Sequence, residues 1–238
     1  MIEKIDYLEN YTFSNYFDIA CGKGWFTAVV VESCKEVTKV TGIDITSKFK
    51  EDFSKSVGEI DIVFIESDIN NYNWAENTEA IDGISLSLAL HHIDNINTVM
   101  KDIYTNLSDD GVVIIYEIIT DGLSKSQLNH KDFHHLHGKM DRDDGEFHQD
   151  AFSLQKIQEI ISAAGFSILH DELEKNDEIC NRTQEVFETL QSQTEKKIEK
   201  VYGEDVPAEI MKRKNELLKN LKTHGMAPPP FYLCIGKK

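Results

Sequence analysis

The sequence predicts an α/β protein: a doubly wound, seven-stranded, mostly parallel sheet with a helical insertion ahead of its last strand. Three observations predict it. Short, nearly continuous apolar runs alternate with amphipathic runs at helical spacing, the pattern of strands covered on both faces by crossover helices. A glycine-bearing turn, Asp18-Ile-Ala-Cys-Gly-Lys-Gly24, joins the first such strand to the first helix. The alternation lapses after residue 120 and returns at the end as one apolar run behind Pro228-Pro-Pro230.

The elements follow in order. Ile2, Ile5 and Leu8 form a short helical stripe over residues 2–10. Tyr16–Ala20 reads as a buried strand, and Trp25–Lys35 as a helix with Phe26, Val29 and Val30 inward. Val37–Asp44 is the second strand, Ser47–Val57 the second helix, and Ile60–Ser67 the third strand, with Asp68 at its end. Ala80–Leu90 is a fourth, nearly all-apolar strand, followed by a helix over Asn95–Leu107, a turn at Ser108–Gly111 and a fifth strand over Val112–Glu117. Residues 121–150 are polar and rich in His and Asp, and read as a mobile segment with one helix at most. Ser153–Ala164 is an amphipathic helix stopped by Gly165, and Phe166–His170 the sixth strand. Helices are expected over 182–201 and 207–222, the second entered through Pro207 at an N1-like position. Phe231–Ile235 is the last strand.

The 238 residues are expected to form one domain over 1–238. A formal net charge of -17 repels phosphate backbones and anionic headgroups, so bulk nucleic acid and membrane surfaces are disfavoured as partners. The four cysteines (Cys21, Cys34, Cys180, Cys234) are scattered, with no Cys-x-x-Cys pair, which reads as reduced thiols in a cytosol rather than a disulfide framework or structural zinc. The first residues lack a basic start followed by an apolar stretch, and no apolar run reaches the ~20 residues of a membrane helix, so a cytoplasmic protein is expected.

The strand–turn–helix at Asp18–Gly24 carries the chemistry. Small residues at 20, 22 and 24 let the backbone turn tightly and approach a ligand, and the helix N-terminus behind them offers N–H groups. Asp44 ends the second strand 20 residues after Gly24, the spacing at which a carboxylate reaches ribose hydroxyls. The dinucleotide fingerprint Gly-x-Gly-x-x-Gly fails in both registers, because Trp25 or Thr27 stands where its last glycine belongs. No Gly-Lys-Ser/Thr exists for a phosphate-binding loop. An adenosine ligand without a diphosphate fits best.

Asp18-x-Ala-Cys-Gly-Lys-Gly24 resembles the first motif of class I S-adenosylmethionine-dependent methyltransferases, with Ala20 in place of the usual first glycine. Asp44, Ser67-Asp-Ile69, Leu88-Ala-Leu-His-His-Ile93 and Leu107-Ser-Asp-Asp-Gly-Val-Val-Ile114 resemble the later motifs, in order and at family spacing. The resemblance covers residues 16–120 and extends through the helix and strand at 153–170. It implies the Rossmann-like methyltransferase fold and S-adenosylmethionine as cofactor, with 1–120 as the cofactor-binding half, 121–150 as an active-site segment and 182–222 as a helical cap. In that reading Asp18, Ala20, Gly22 and Gly24 form the loop beside the methionine part, and Leu88 ends the strand that cradles it. Asp44 holds the ribose, Ile45 and Ile69 sandwich the adenine, and Asp68 reads its amino group.

The acceptor is expected to be a small molecule offering oxygen, nitrogen or carbon. Alternatives are a protein or tRNA acceptor, a non-catalytic module that only holds the cofactor, and, more remotely, aminopropyl transfer. His92 and His134 are the candidate catalytic residues. His92 follows the fourth strand, where imidazole can position or deprotonate an acceptor. His134 shares a helical face with His130 and His137 in a segment that also holds His135 and His148. No contiguous motif such as His-Glu-x-x-His is present, and no metal is expected. The basic residues Lys196, Lys197, Lys200, Lys212, Arg213 and Lys214 read as a solvated face, and the two helices that carry them as a cap or a homodimer contact.

Overall fold

The computed structural model describes residues 2–58, 60–175 and 180–238. The chain divides into two compact units: Met1–Glu117 with Gln155–Glu174 and Phe231–Lys238, and Ile118–Leu154 with Lys175–Pro230.

The first unit is built on a seven-stranded sheet. Its strands are β1 (Tyr16–Ile19), β2 (Lys39–Asp44), β3 (Asp61–Glu66), β4 (Ile81–Ser87), β5 (Leu107–Ile118), β6 (Ser167–Glu174) and β7 (Phe231–Lys237). The spatial order is β3-β2-β1-β4-β5-β7-β6. β1 pairs in parallel with β2 and β4, β2 with β3, and β4 with β5, while β6 and β7 are antiparallel. The doubly wound, mostly parallel sheet expected from the apolar runs is therefore what forms. Tyr16, Ile19, Val40, Ile43, Ile84, Leu86, Val113 and Ile115 are all buried, which is why these strands read as continuous apolar runs instead of alternating ones. The chain builds outward from β1 through β2 to β3 and then returns to the other side of β1. That reversal makes the carboxyl ends of β1 and β4 the switch point where ligands bind in such sheets.

The helices of this unit are α1 (Trp25–Ser33), α2 (Lys50–Ser56), α3 (Ile96–Asn106) and α5 (Leu154–Ala164). Phe26, Val29 and Val30 of α1 are buried, as their spacing predicts. Several boundaries differ from the sequence reading. The stripe over 2–10 is one 3-10 turn, Asp6–Leu8, because three apolar residues do not repay the cost of helix nucleation. The second helix begins as a 3-10 turn at Ser47–Phe49, capped by the Thr46 side chain. The fourth strand stops at Ser87, since Leu88 takes a φ of 52°, and Leu90–His92 then forms a 3-10 turn. The expected turn at Ser108–Gly111 is an excursion inside β5: Ile81 pairs with Leu107, but Gly83 pairs with Val112. No helix joins β3 to β4. Two 3-10 turns do so, Ile69–Asn71 and Trp74–Glu76, and Trp74 stacks on Phe17 of β1.

The second unit is a three-helix assembly of α4 (Lys125–Asp143), α6 (Gln184–Tyr202) and α7 (Ala208–His224). Most of the segment read as polar and mobile is thus a single 19-residue helix. Leu136 and Met140 of α4 pack with Ile198 of α6 and with Ile210, Leu217 and Leu221 of α7, and Phe133 flanks them. α4 opens with a capping box in which the Ser124 hydroxyl accepts from the Gln127 N–H and the Gln127 side chain accepts from the Ser124 N–H. Gln127 and Asn129 are buried, and their amides donate to the carbonyls of Pro228 and Gly225 just past α7. Pro207 is the N-cap residue of α7, one position earlier than N1. Lys197 pairs with Asp141, Lys200 with Asp144 at 2.7 Å and Lys214 with Glu195 at 2.8 Å, so three of the six basic residues singled out in the sequence are engaged by carboxylates. Among the described residues, no helix is long and apolar enough to cross a membrane.

Candidate active site

The loop after β1 is organised around two carboxylates. Asp18 is fully enclosed inside the sheet. Its oxygens accept hydrogen bonds from the hydroxyls of Thr27 on α1 and Ser85 on β4, and Ser85 in turn accepts from the buried Tyr16 hydroxyl. Burial raises the Asp18 carboxyl from 3.8 to about 6, and the two hydroxyl donors oppose that rise. Neither the Thr27–Asp18 nor the Ser85–Asp18 contact has a local sequence signal, since their partners lie 9 and 67 residues apart.

Asp44, at the end of β2, ties the loop down. Its Oδ2 accepts from the Gly22 N–H at 2.9 Å and its Oδ1 from the Thr46 N–H at 3.1 Å. A carboxylate has about four lone-pair sites. Two remain for a pair of neighbouring hydroxyls. Gly22 and Gly24 take φ values of 51° and 80°, and Gly24 caps α1. A Cβ on Gly24 would stand 2.2 Å from the Ser56 Oγ and 2.9 Å from the Phe53 ring, so α2 packs directly on the loop backbone. Nothing lies within 4 Å of a Cβ built on Gly22, which leaves open space over that peptide.

The remaining predicted cofactor residues gather at the same carboxyl edge. Ile45 follows Asp44 and is 74% exposed, an apolar side chain presented to solvent beside a carboxylate. Asp68 caps the turn after β3, accepting from the Asn70 N–H and from the side-chain amides of Asn70 and Asn71, with Ile69 next to it. Asp68 keeps about one of its four lone-pair sites for a further donor. Leu88 ends β4, its N–H donating to the Tyr116 carbonyl. Among the described residues, three non-glycines have positive φ: Ala20, Leu88 and Asn95. Two of these follow β1 and β4, the switch-point strands, and backbone strain of this kind gathers at functional sites. These residues fit an adenosine-bearing ligand: apolar surface for a base, a carboxylate with two acceptor sites for a diol, and unobstructed loop backbone.

His91 and His92 diverge. His91 is buried, and its Nδ1 meets the Glu117 Oε2 at 3.2 Å. The same carboxylate oxygen accepts from the Leu90 N–H at 3.0 Å. Glu117 is fully buried at the end of β5 and was not singled out in the sequence, because it reads as a charge closing an apolar strand. It fixes the turn that presents His92, which is exposed. His134 belongs to the second unit, on α4. There its Nε2 lies 3.4 Å from the Nε2 of His148. His137 is held neutral: burial first, then the Lys197 cation, lowers its pKa to about 4, and its Nε2 meets the Thr194 hydroxyl at 3.2 Å. Burial also lowers His130 and His135.

Residues 1–171 match the family described as a methyltransferase domain. No curated protein matches the chain in sequence. Solved structures with the same fold include a cyclopropane-fatty-acyl-phospholipid synthase-like protein from Lactobacillus casei (14% identity, TM-score 0.69, 98% of this chain and 86% of that one). They also include an S-adenosylmethionine-dependent methyltransferase from Mesorhizobium loti (14% identity, TM-score 0.54, 97% and 92% coverage). A third is the N-methyltransferase NodS from Bradyrhizobium japonicum, in complex with S-adenosylhomocysteine (12% identity, TM-score 0.52, 95% and 79% coverage). With the sheet order, the strand-end carboxylates and the family match in agreement, the chain belongs to the methyltransferase-domain family and is a class I S-adenosylmethionine-dependent methyltransferase.

Proposed function

We propose that the chain binds S-adenosylmethionine against the Asp18–Gly24 loop and moves its methyl group to a small-molecule oxygen, nitrogen or carbon acceptor. The observation that carries the cofactor half is the Asp44 carboxylate, anchored by the Gly22 N–H at 2.9 Å with two acceptor sites left over and the exposed Ile45 beside it. Asp44 takes the ribose diol, Ile45 and Ile69 flank the base, Asp68 accepts from its amino group, and Ala20, Gly22, Gly24 and Leu88 border the methionine part. Asp18 holds the loop from inside.

The bound cofactor supplies an electrophilic methyl on a good leaving group. The residues therefore have to align the acceptor, exclude water and take up its proton where it has one. We assign these duties to His92; His134, on α4 of the second unit, is the other candidate for holding an acceptor. The support for a small acceptor is electrostatic: a net charge of -17, and basic residues of α6 and α7 already paired with carboxylates, both disfavour a polyanionic partner.

The test is incubation with a methyl-labelled cofactor and a fractionated cell extract. Label is expected in a low-mass fraction. Label in protein or RNA instead would overturn the small-molecule reading, and no transfer to any fraction would favour a module that only holds the cofactor.

A further inference from the structure

We propose that His134 and His148 are two ligands of a divalent metal site within the second unit, for an ion of the class that favours imidazole: Zn²⁺, Co²⁺, Ni²⁺ or Fe²⁺. The inference rests on how one face of α4 receives His148. His134, Gly138, Asp141 and Arg142 lie at i, i+4, i+7 and i+8, on one face of the helix. Each does something different to the same histidine. The Asp141 Oδ2 meets the His148 Nδ1 at 2.8 Å. The Arg142 Nη1 donates to the His148 carbonyl at 2.5 Å. Gly138, buried in the helix interior, leaves room for the ring: a Cβ there would lie 3.2–3.3 Å from its Cδ2, Cγ and Nε2 atoms. An interior glycine weakens a helix relative to alanine. Gly138 makes the room in which the His148 ring sits.

The result is a buried imidazole with both its orientation and its tautomer fixed. A carboxylate on Nδ1 keeps the proton on that nitrogen and turns the Nε2 lone pair outward, the arrangement that stands behind metal-ligating histidines generally. That Nε2 faces the Nε2 of His134 at 3.4 Å. Zinc–nitrogen bonds of about 2.0–2.1 Å at a tetrahedral angle place two ligand nitrogens roughly 3.3–3.4 Å apart. The observed gap is that spacing, and it is long for a direct N–H···N bond between the rings. The His135 Nε2 accepts from the Ala151 N–H at 3.2 Å, and the His137 Nε2 meets Thr194. Lys197 holds the other oxygen of Asp141.

The sequence gives no contiguous signature of this pair because its two histidines lie 14 residues apart, one on α4 and one in the loop after it.

The test is equilibrium dialysis of chelator-treated protein against Zn²⁺, with Co²⁺ absorption as the spectroscopic readout and circular dichroism to show that each variant is folded. One ion per chain is expected. His134→Ala and His148→Ala should each weaken binding at least 100-fold, and Asp141→Asn 10- to 100-fold. Gly138→Ala, which removes no ligand, should weaken it by displacing the ring. Folded wild-type protein that binds no stoichiometric ion would overturn the proposal in favour of a simple ring–ring contact. So would binding unchanged in the His134→Ala, His148→Ala double variant.

Discussion

Asp18 is a carboxyl enclosed in the sheet, and its burial makes its charge costly. Its carboxyl titrates near 6 instead of 3.8 because it is buried, and the hydroxyls of Thr27 and Ser85 only partly offset that. Between those two values the folded chain holds a proton that the unfolded chain releases. The group's contribution to stability is therefore fully present below about 3.8 and is lost as pH rises through about 6, a change of about 3 kcal/mol at 1.36 kcal/mol per unit. Asp18→Asn should remove that dependence. Its melting temperature relative to wild type should climb between pH 4 and pH 7, and parallel profiles would refute the assignment. Gly24 is constrained differently, by a φ of 80° and by the Ser56 and Phe53 side chains. Gly24→Ala should lower stability by about 2 kcal/mol in urea unfolding, through strain and overpacking together. The motif residues were legible in the sequence because spacing along the chain marks them. Tyr16, Ser85 and Glu117 were not, because each acts through a partner that only the fold brings near.

At the scale of elements, legibility followed the length and apolarity of each run. The sheet strands announced themselves by continuous apolar character, whereas their ends did not. Leu88 breaks β4 by a backbone conformation that its side chain gives no hint of. α4 was underread because charged and histidine residues dominate it. Its apolar positions, Phe133, Leu136 and Met140, do fall at helical spacing, and that stripe was the available signal. Its first turn makes a clean test of the element. Ser124→Ala removes the hydroxyl that caps the Gln127 N–H, so amide protons of α4 should exchange faster by the equivalent of about 1 kcal/mol. Exchange rates in the β1–β2 strands should stay as they are; a matching loss there would mean the two units do not open separately. The α6 and α7 helices were legible from their stripes, but the pairing of Lys197, Lys200 and Lys214 with carboxylates required the structure.

For the molecule as a whole, strand order and motif position meet at one edge of the sheet. The reversal of strand order sets the carboxyl ends of β1 and β4 as the binding edge, and the predicted residues Asp18, Ala20, Gly22, Gly24, Asp44, Ile45, Asp68, Ile69 and Leu88 lie along that carboxyl edge of the first unit. The second unit, with its own core and its histidine-bearing helix, is where sequence patterns said least. The central claim is that Asp44 holds a ribose diol. Calorimetric titration with S-adenosylhomocysteine tests it most directly. Two hydrogen bonds to a charged group are worth about 1.5–3 kcal/mol each, and part of that is returned by water. Wild-type protein should therefore bind one equivalent, Asp44→Ala should bind ten- to a hundredfold more weakly, and His92→Ala should lose less than Asp44→Ala does. Folded wild-type protein that takes up no ligand, or a larger loss from His92→Ala than from Asp44→Ala, would contradict the account.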